Sequence, residues 1–288
     1  MMQGLHTIEN DHLSVSVSEL GAEMRRIALK PENKPLLWEG DRAVWGGCAP
    51  WLFPFIGQTR EGYYLYQGAR YQAPMHGFAK MSRFAVEEQT DTSMRFVLRD
   101  SAETLAVFPW HFVLSIDYTL SGSRLEILCT VKNTDEKTMY YSIGAHPGFV
   151  CREGDELVFE GQESLTYHHL ATGLHLLQHE KGSLPLNDGA LKLTSSLFDN
   201  DALVLENPAV SQITVRRAEG PSVRFSYDAV PWLGLWSRSG MDLQYVCLEP
   251  WFGVDDIVDA DHLIEHKVGI QSLAPGAEKI FSLGVEPV

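Results

Sequence analysis

Phe112-Val113-Leu114-Ser115-Ile116-Asp117-Tyr118-Thr119-Leu120, then Ser121-Gly122-Ser123, then Arg124-Leu125-Glu126-Ile127-Leu128 is the stretch that decides the fold. Apolar side chains recur at every second position before and after the break, the period of a strand with one face on a core. Gly122 is free to take positive φ between the runs, so together they read as one antiparallel hairpin. The same period continues to Val131 and returns in Gln212 to Arg216, Ser222 to Tyr227 and Tyr245 to Glu249, each bounded by Gly, Pro, Asn, Asp or Ser. In Leu13-Ser14-Val15-Ser16-Val17-Ser18 the alternation is strict and predicts a half-buried strand. Tyr63 to Tyr66, turning at Gln67-Gly68, predicts a second hairpin. One helix is predicted, over Asp100 to Phe108, with Asp100 as N-cap, Glu103 three residues on and Pro109 as its stop. Glu180 to Asp201 reads as a long loop. Many antiparallel strands with almost no interleaved helix predict an all-β protein, a large antiparallel β-sandwich, and argue against a parallel βαβ architecture.

The chain of 288 residues is 44% hydrophobic and 21% charged, enough apolar material for a sizeable core, and residues 1–288 are expected to form one domain. Its 23 Lys+Arg against 38 Asp+Glu leave a net charge of −15, which sets an acidic surface against nucleic acid and removes it from the expected partners. No apolar run approaches the roughly 18 residues of a membrane span, and Met1 to Asn10 lacks the basic and apolar regions of a secretory signal. Cys48, Cys129, Cys151 and Cys247 are far apart and form no C-x-x-C pair, which predicts reduced, buried thiols in a cytoplasmic protein. No G-x-G-x-x-G, P-loop or G-x-S-x-G occurs, so nucleotide chemistry and serine hydrolysis lack their usual signals.

Three segments interrupt the alternation with polar residues beside Gly and Pro, where the rim of a sheet is expected. His76 lies between Met75 and Gly77 in Pro74 to Lys80, and is either a cleft residue or a loop histidine with its hydrogen bonds satisfied. His146 precedes Pro147-Gly148 at the end of a Tyr-rich strand, and reads either as a cleft residue or as a structural turn histidine. Glu249 ends an apolar strand among Leu248, Pro250, Trp251 and Phe252; desolvation there would raise its pKa toward that of a general base working near neutrality. The alternative is a Glu that caps a loop or pairs with an Arg. His175 and His179 have i,i+4 spacing without the Glu of a zincin, and His168-His169 would face opposite ways on a strand. Asp255, Asp256, Asp259 and Asp261 lack calcium-loop spacing and read as a solvated loop. Trp45, Trp51, Trp232, Trp236 and Trp251 are candidates to stack on a ligand ring, each with core packing as its alternative.

In this order, Phe53-Pro54-Phe55-Ile56-Gly57, His76-Gly77-Phe78, Gly144-Ala145-His146-Pro147-Gly148-Phe149, Phe198-Asp199-Asn200-Asp201-Ala202-Leu203 and Leu248-Glu249-Pro250-Trp251 resemble the aldose 1-epimerase, or galactose mutarotase-like, family. The resemblance spans nearly the whole chain. It implies a β-supersandwich that binds a sugar and interconverts its α and β anomers without a metal or organic cofactor. Glu249 would take the proton of the C1 hydroxyl and His146 would protonate the ring oxygen, an acid and a base on opposite sides of one acetal centre. His76 would bind near the ring oxygen, one of Asp199 and Asp201 would hold a hydroxyl, and Trp251 is a candidate to stack on the ring. Where better-known mutarotases carry two Arg residues, this chain has Gln58 and Gly62, with Arg60 as the candidate substitute. Pro147-Gly148-Phe149 replaces the aromatic residue and Asn that follow the catalytic His in galactose mutarotases.

The run His76 to Lys80 also resembles the hexose-6-phosphate 1-epimerase branch, in which a basic residue at the Lys80 position contacts phosphate. A non-catalytic carbohydrate-binding sandwich is a third reading, disfavoured by the presence of both His146 and Glu249. A glycosidase using Glu249 with Asp199 or Asp201 is a fourth. The expected partner is a small sugar; pairing of sandwich edges leaves a homodimer open.

Overall fold

The computed structural model describes residues 4–288, so the first three residues of Met1 to Asn10, and of the 1–288 span, lie outside the described residues. The deciding hairpin forms as the alternation requires: Phe112–Ser121 and Arg124–Asn133 pair without a register shift from Ser121 opposite Arg124 to Phe112 opposite Asn133. Phe112, Leu114, Ile116 and Tyr118 on one strand, and Leu125, Ile127, Cys129 and Val131 on the other, are all fully buried. Each such aliphatic or aromatic side chain contributes roughly 1.5–3 kcal/mol on burial.

That hairpin is the middle of a nine-stranded antiparallel sheet. Ser93–Arg99 and then Ala85–Gln89 continue it on one side. On the other side Glu278–Pro287, Val223–Tyr227, Gln212–Arg216, Glu156–Val158 and Ala190–Lys192 follow in turn.

An eight-stranded sheet faces it, with Leu177–Pro185, Ser164–Leu170, Leu203–Glu206, Trp232–Trp236, Tyr245–Phe252, Ile143–Ala145 and Trp51–Leu52 in order, and Gly148–Val150 also paired to Tyr245–Phe252. The two sheets share a core: Phe149 packs on Phe225 with ring centroids 5.2 Å apart, and Trp51 packs on Phe281 at 6.0 Å. A four-stranded sheet, Leu5–Glu9, Leu13–Ser18, Met24–Leu29 and Lys34–Pro35, contributes Leu13, Val15 and Val17 to that core. The all-β sandwich expected from the alternation is the observed architecture. Among the described residues no helix is long and apolar enough to cross a membrane. The four cysteines are free and buried.

Three local expectations are corrected. The helix spans only Ala102–Leu105, and its N-cap is Ser101, which forms a reciprocal capping box with Thr104. Asp100 turns instead to His111 Nδ1 at 2.7 Å and accepts from the Phe112 amide, tying the helix to the start of the hairpin. Glu180 to Asp201 is no long loop: it carries most of Leu177–Pro185, the strand Ala190–Lys192 and a short 3₁₀ turn at Ser195–Phe198. Leu13–Ser18 is buried on both faces, because Ser14 and Ser16 are covered as well, and Ser16 and Ser18 lie on the wall of a cavity.

Candidate active site

Tyr245–Phe252 organises the site. Along one edge it pairs continuously with Trp232–Trp236, which sets Gly234 opposite Glu249. Along the other it pairs first with Gly148–Val150, matching Gly148 to Cys247, and then with Ile143–Ala145, matching Gly144 to Trp251. Continued across the interruption at His146-Pro147, that register puts His146 across from Glu249. Directly opposed residues project from the same face of an antiparallel pair, and His146 Nε2 lies 3.1 Å from Glu249 Oε2. Pro147 has no amide hydrogen to donate and ends the strand there, while its carbonyl still accepts from the Leu248 amide and keeps the edge joined.

Close approach explains the glycines beside this pair. A Cβ on Gly144 would come within 2.5 Å of the Trp251 ring, and one on Gly234 within 2.6 Å of its far end. The indole therefore lies over two bare backbone positions and is only 3% exposed. The His146 ring is boxed by aromatic neighbours: Trp45 stacks on it at 5.1 Å, while Trp236 and His76 meet it edge-on at 5.7 and 5.8 Å.

His76 comes from a segment stitched to Phe53–Gly57, since the Phe53 carbonyl accepts from the Phe78 amide and the Gly57 carbonyl from the His76 amide. The Gly57 amide in turn donates to His76 Nδ1 at 3.0 Å. The neutral ring thus carries its proton on Nε2. Burial, reinforced by His146 and Lys80, holds the His76 pKa well below the usual histidine range.

Glu249 is 1% exposed, and neither carboxylate oxygen finds a hydrogen-bond partner among the described residues; the close approach to His146 lacks hydrogen-bond geometry. Burial first, then the nearby Asp255 and Asp201, push its pKa well above the carboxylate range. Burial pushes His146 the other way, to about 3. Both shifts have one cause: a buried site disfavours net charge. Each shift favours the uncharged form of its group, a protonated Glu249 carboxyl beside a neutral His146, and a proton passed between neighbours this close gives the charged form of the pair.

A cavity of about 990 Å³ opens over this pair, lined among others by His76, Lys80, His146, Asp201, Glu249 and Trp251. Two sequence candidates are absent from its wall. Arg60 donates to the Ala260 carbonyl at 2.7 Å, held there by its own amide's bond to Asp256. Asp199 caps the 3₁₀ turn at Ser195–Phe198 and is exposed outside the cavity. Of the aspartate pair Asp201 is the cavity residue, 2.5 Å from His175 Nδ1. His146 and Glu249, the residues expected as acid and base, stand side by side, because they come from opposed positions on adjacent strands.

The structure adds residues that sequence reasoning set aside. His175 lies on the cavity wall as the partner of Asp201. Asp255 is 3% exposed instead of solvated, accepts from the Gln58 amide at 2.7 Å, and burial raises its pKa to about 6. Asp256 forms a buried pair with Lys267 at 2.7 Å. The signal for both was their position directly after the Glu249–Phe252 segment. Trp45 and Trp236 line the cavity, whereas Trp51 donates to Tyr118 Oη within the core and Trp232 packs on His168. Arg42 is on the wall with no sequence signal of its own. Cys247 was recognisable as the i−2 neighbour of Glu249 on one strand face; its sulfur, a nitrogen of His146 and an oxygen of Glu249 lie within 4.8 Å of one another.

With the fold and this pair in place, comparison with known proteins gives a consistent result. The family model for aldose 1-epimerase matches residues 4–267, and the chain belongs to that family. Protein LacX, chromosomal, of Lactococcus lactis subsp. lactis is 33% identical over 284 residues, covering 93% of this chain and 94% of that protein. A galactose mutarotase related enzyme from Lactobacillus acidophilus superposes with a TM-score of 0.93 at 30% identity, covering 99% of this chain and 97% of that one. A galactose mutarotase-like protein from Lactobacillus casei also gives 0.93, at 28% identity, covering 99% of this chain and all of that one.

Proposed function

We propose that the protein is an aldose 1-epimerase, catalysing exchange between the α and β anomers of a hexose or related aldose. The observation that carries this reading is the buried His146–Glu249 pair, 3.1 Å apart, with no hydrogen-bond partner for either Glu249 oxygen among the described residues, and open to a cavity. Anomerisation needs a proton removed from the C1 hydroxyl and a proton supplied to the ring oxygen. Both oxygens are bonded to C1, so two groups side by side reach them from one direction. In the form of the pair that carries the shared proton on His146, Glu249 takes the hydroxyl proton and His146 delivers one to the ring oxygen, so the C1–ring-oxygen bond breaks as the C1 carbonyl forms. Rotation about C1–C2 and reclosure with the proton transfers reversed give the other anomer. His76, with its proton on Nε2, donates to an oxygen near the ring; Asp201, steadied by His175, accepts from a hydroxyl. Trp251 and Trp45 supply aromatic surface for the apolar edge of the sugar.

A second reading, a sugar bearing a phosphate, is favoured by one observation: Lys80 and Arg42 reach the cavity wall without an ion-pair partner among the described residues. Burial lowers the Lys80 pKa, and an anion beside it would offset that. Saturation-transfer NMR of anomer exchange on free aldoses and on glucose 6-phosphate separates the readings. Accelerated exchange of a free aldose supports the first, acceleration confined to the phosphate supports the second, and no acceleration of any sugar contradicts both.

A further inference from the structure

The arrangement of His146, Glu249 and Cys247 is more than proton transfer needs. Cys247 and Glu249 alternate on one strand and project from the same face, and His146 stands across the strand pair from Glu249. One nitrogen, one sulfur and one oxygen donor thus converge within 4.8 Å, all on buried residues. On one neighbouring strand the residue opposite Cys247 is Gly148, which adds no side chain over the sulfur, and on the other it is Trp236. Both Glu249 oxygens are buried without a hydrogen-bond partner among the described residues. An unpartnered buried carboxylate is costly, and a cation satisfies it as well as a proton does.

We propose that His146, Cys247 and Glu249 form a three-ligand site for a thiophilic divalent cation of the zinc class, and that its occupation competes with the sugar. Tetrahedral zinc with bonds of about 2.0–2.3 Å sets its ligand atoms roughly 3.3–3.7 Å apart, so donors within 4.8 Å of one another close by about 1.5 Å at most. The mixed nitrogen, sulfur and oxygen set selects zinc or cobalt over magnesium or calcium, which take oxygen ligands. On binding, the Cys247 thiol and the His146–Glu249 pair each release one proton to solvent as the metal bonds form, with no change of oxidation state. The fourth position faces the cavity, where a water or a sugar hydroxyl completes the shell. With both proton-transfer groups bound to the metal, anomer exchange stops. The inhibition rests on the epimerase reading; the metal site does not.

The test is a cobalt titration of the reduced full-length protein, followed by thiolate-to-cobalt charge-transfer absorption in the near ultraviolet. The expected result is a band that saturates at one equivalent, is displaced by zinc, survives in Cys151→Ser and is lost in Cys247→Ser. Cys247→Ala serves equally if the serine variant does not fold. Absence of the band in the wild type, or its persistence in both Cys247 variants, overturns the proposal. In the exchange assay zinc inhibits competitively with sugar and magnesium at the same concentration does not, while Cys247→Ser, measured against its own metal-free rate, is at least tenfold less sensitive. Zinc inhibition of equal potency in Cys247→Ser also overturns the proposal. A cobalt band in a protein without exchange activity leaves the metal site standing and removes the epimerase reading instead.

Discussion

The hairpin Phe112–Asn133 and the strand Tyr245–Phe252 are both long, central and antiparallel, yet they differ in what they leave unsatisfied. The hairpin pairs without a break, sends one set of side chains into the core and the other outward, and carries no chemistry. Tyr245–Phe252 has all but one residue buried, has a partner edge interrupted at His146-Pro147, and holds a carboxylate with no hydrogen-bond partner among the described residues. The first region uses the sheet to bury apolar surface. The second uses the same hydrogen-bonded frame to hold a desolvated acid–base pair that is unfavourable for stability.

This contrast can be tested from its strongest consequence downward. His146→Asn should lower kcat for anomer exchange by about 10²–10⁴-fold while KM changes little, as expected for a group acting in the transition state. Steady-state exchange rates check this, and a loss confined to KM would make His146 a binding residue. Phe112→Ala, in the other region, should cost about 3–5 kcal/mol of stability. Its exchange rate per folded molecule should stay unchanged, which calorimetry and activity together would show.

Asp201→Asn should raise KM by about tenfold, in line with losing a hydrogen bond to a charged group. Asp199→Asn, outside the cavity, should leave KM unaltered; equal effects at the two positions would contradict the placement of Asp201 alone on the wall. The smallest expected effect is that of pH. Burial drives gain of a second proton by the pair down toward the lowered His146 value, about 3, and drives loss of the remaining proton up toward the raised Glu249 value. Since His146 is lowered to about 3, kcat should show no step at the ordinary histidine value of about 6.5. A histidine-like titration near pH 6.5 in the kcat profile would contradict this.

The alternating strands, the hairpin and the sandwich were legible because a period of two records which side chains face a core. His76, His146 and Glu249 were legible for the opposite reason: each is a polar residue beside Gly or Pro that breaks the period. What sequence could not give was proximity between distant segments. Choosing Asp201 over Asp199 depends on the left-handed turn at Asp201 (φ 76°), and burial of Asp255 depends on its bond to the Gln58 amide. Arg60 looked like a substitute for a missing Arg, but its own amide's bond to Asp256 turns it away from the cavity. Asp100 looked like a cap because it opens the helical pattern, but Ser101 and Thr104 complete each other's hydrogen bonds one residue later. The side-by-side arrangement of acid and base required the register around the His146-Pro147 interruption.

The most direct measurement is anomer exchange by saturation-transfer NMR for wild type and Glu249→Gln, with thermal melts of both. The amide is nearly isosteric, so the fold should persist while exchange falls by about 10²–10⁴-fold. The Glu249 pKa is higher folded than unfolded, so its protonation favours the folded state below the unfolded value, and that advantage is lost as pH rises through the folded value. Glu249→Gln should therefore melt at or above wild type at neutral pH, with any gain vanishing below about pH 4. Exchange lost without loss of stability would support Glu249 as the base of a buried acid–base pair. Near-normal exchange in the folded variant would contradict it.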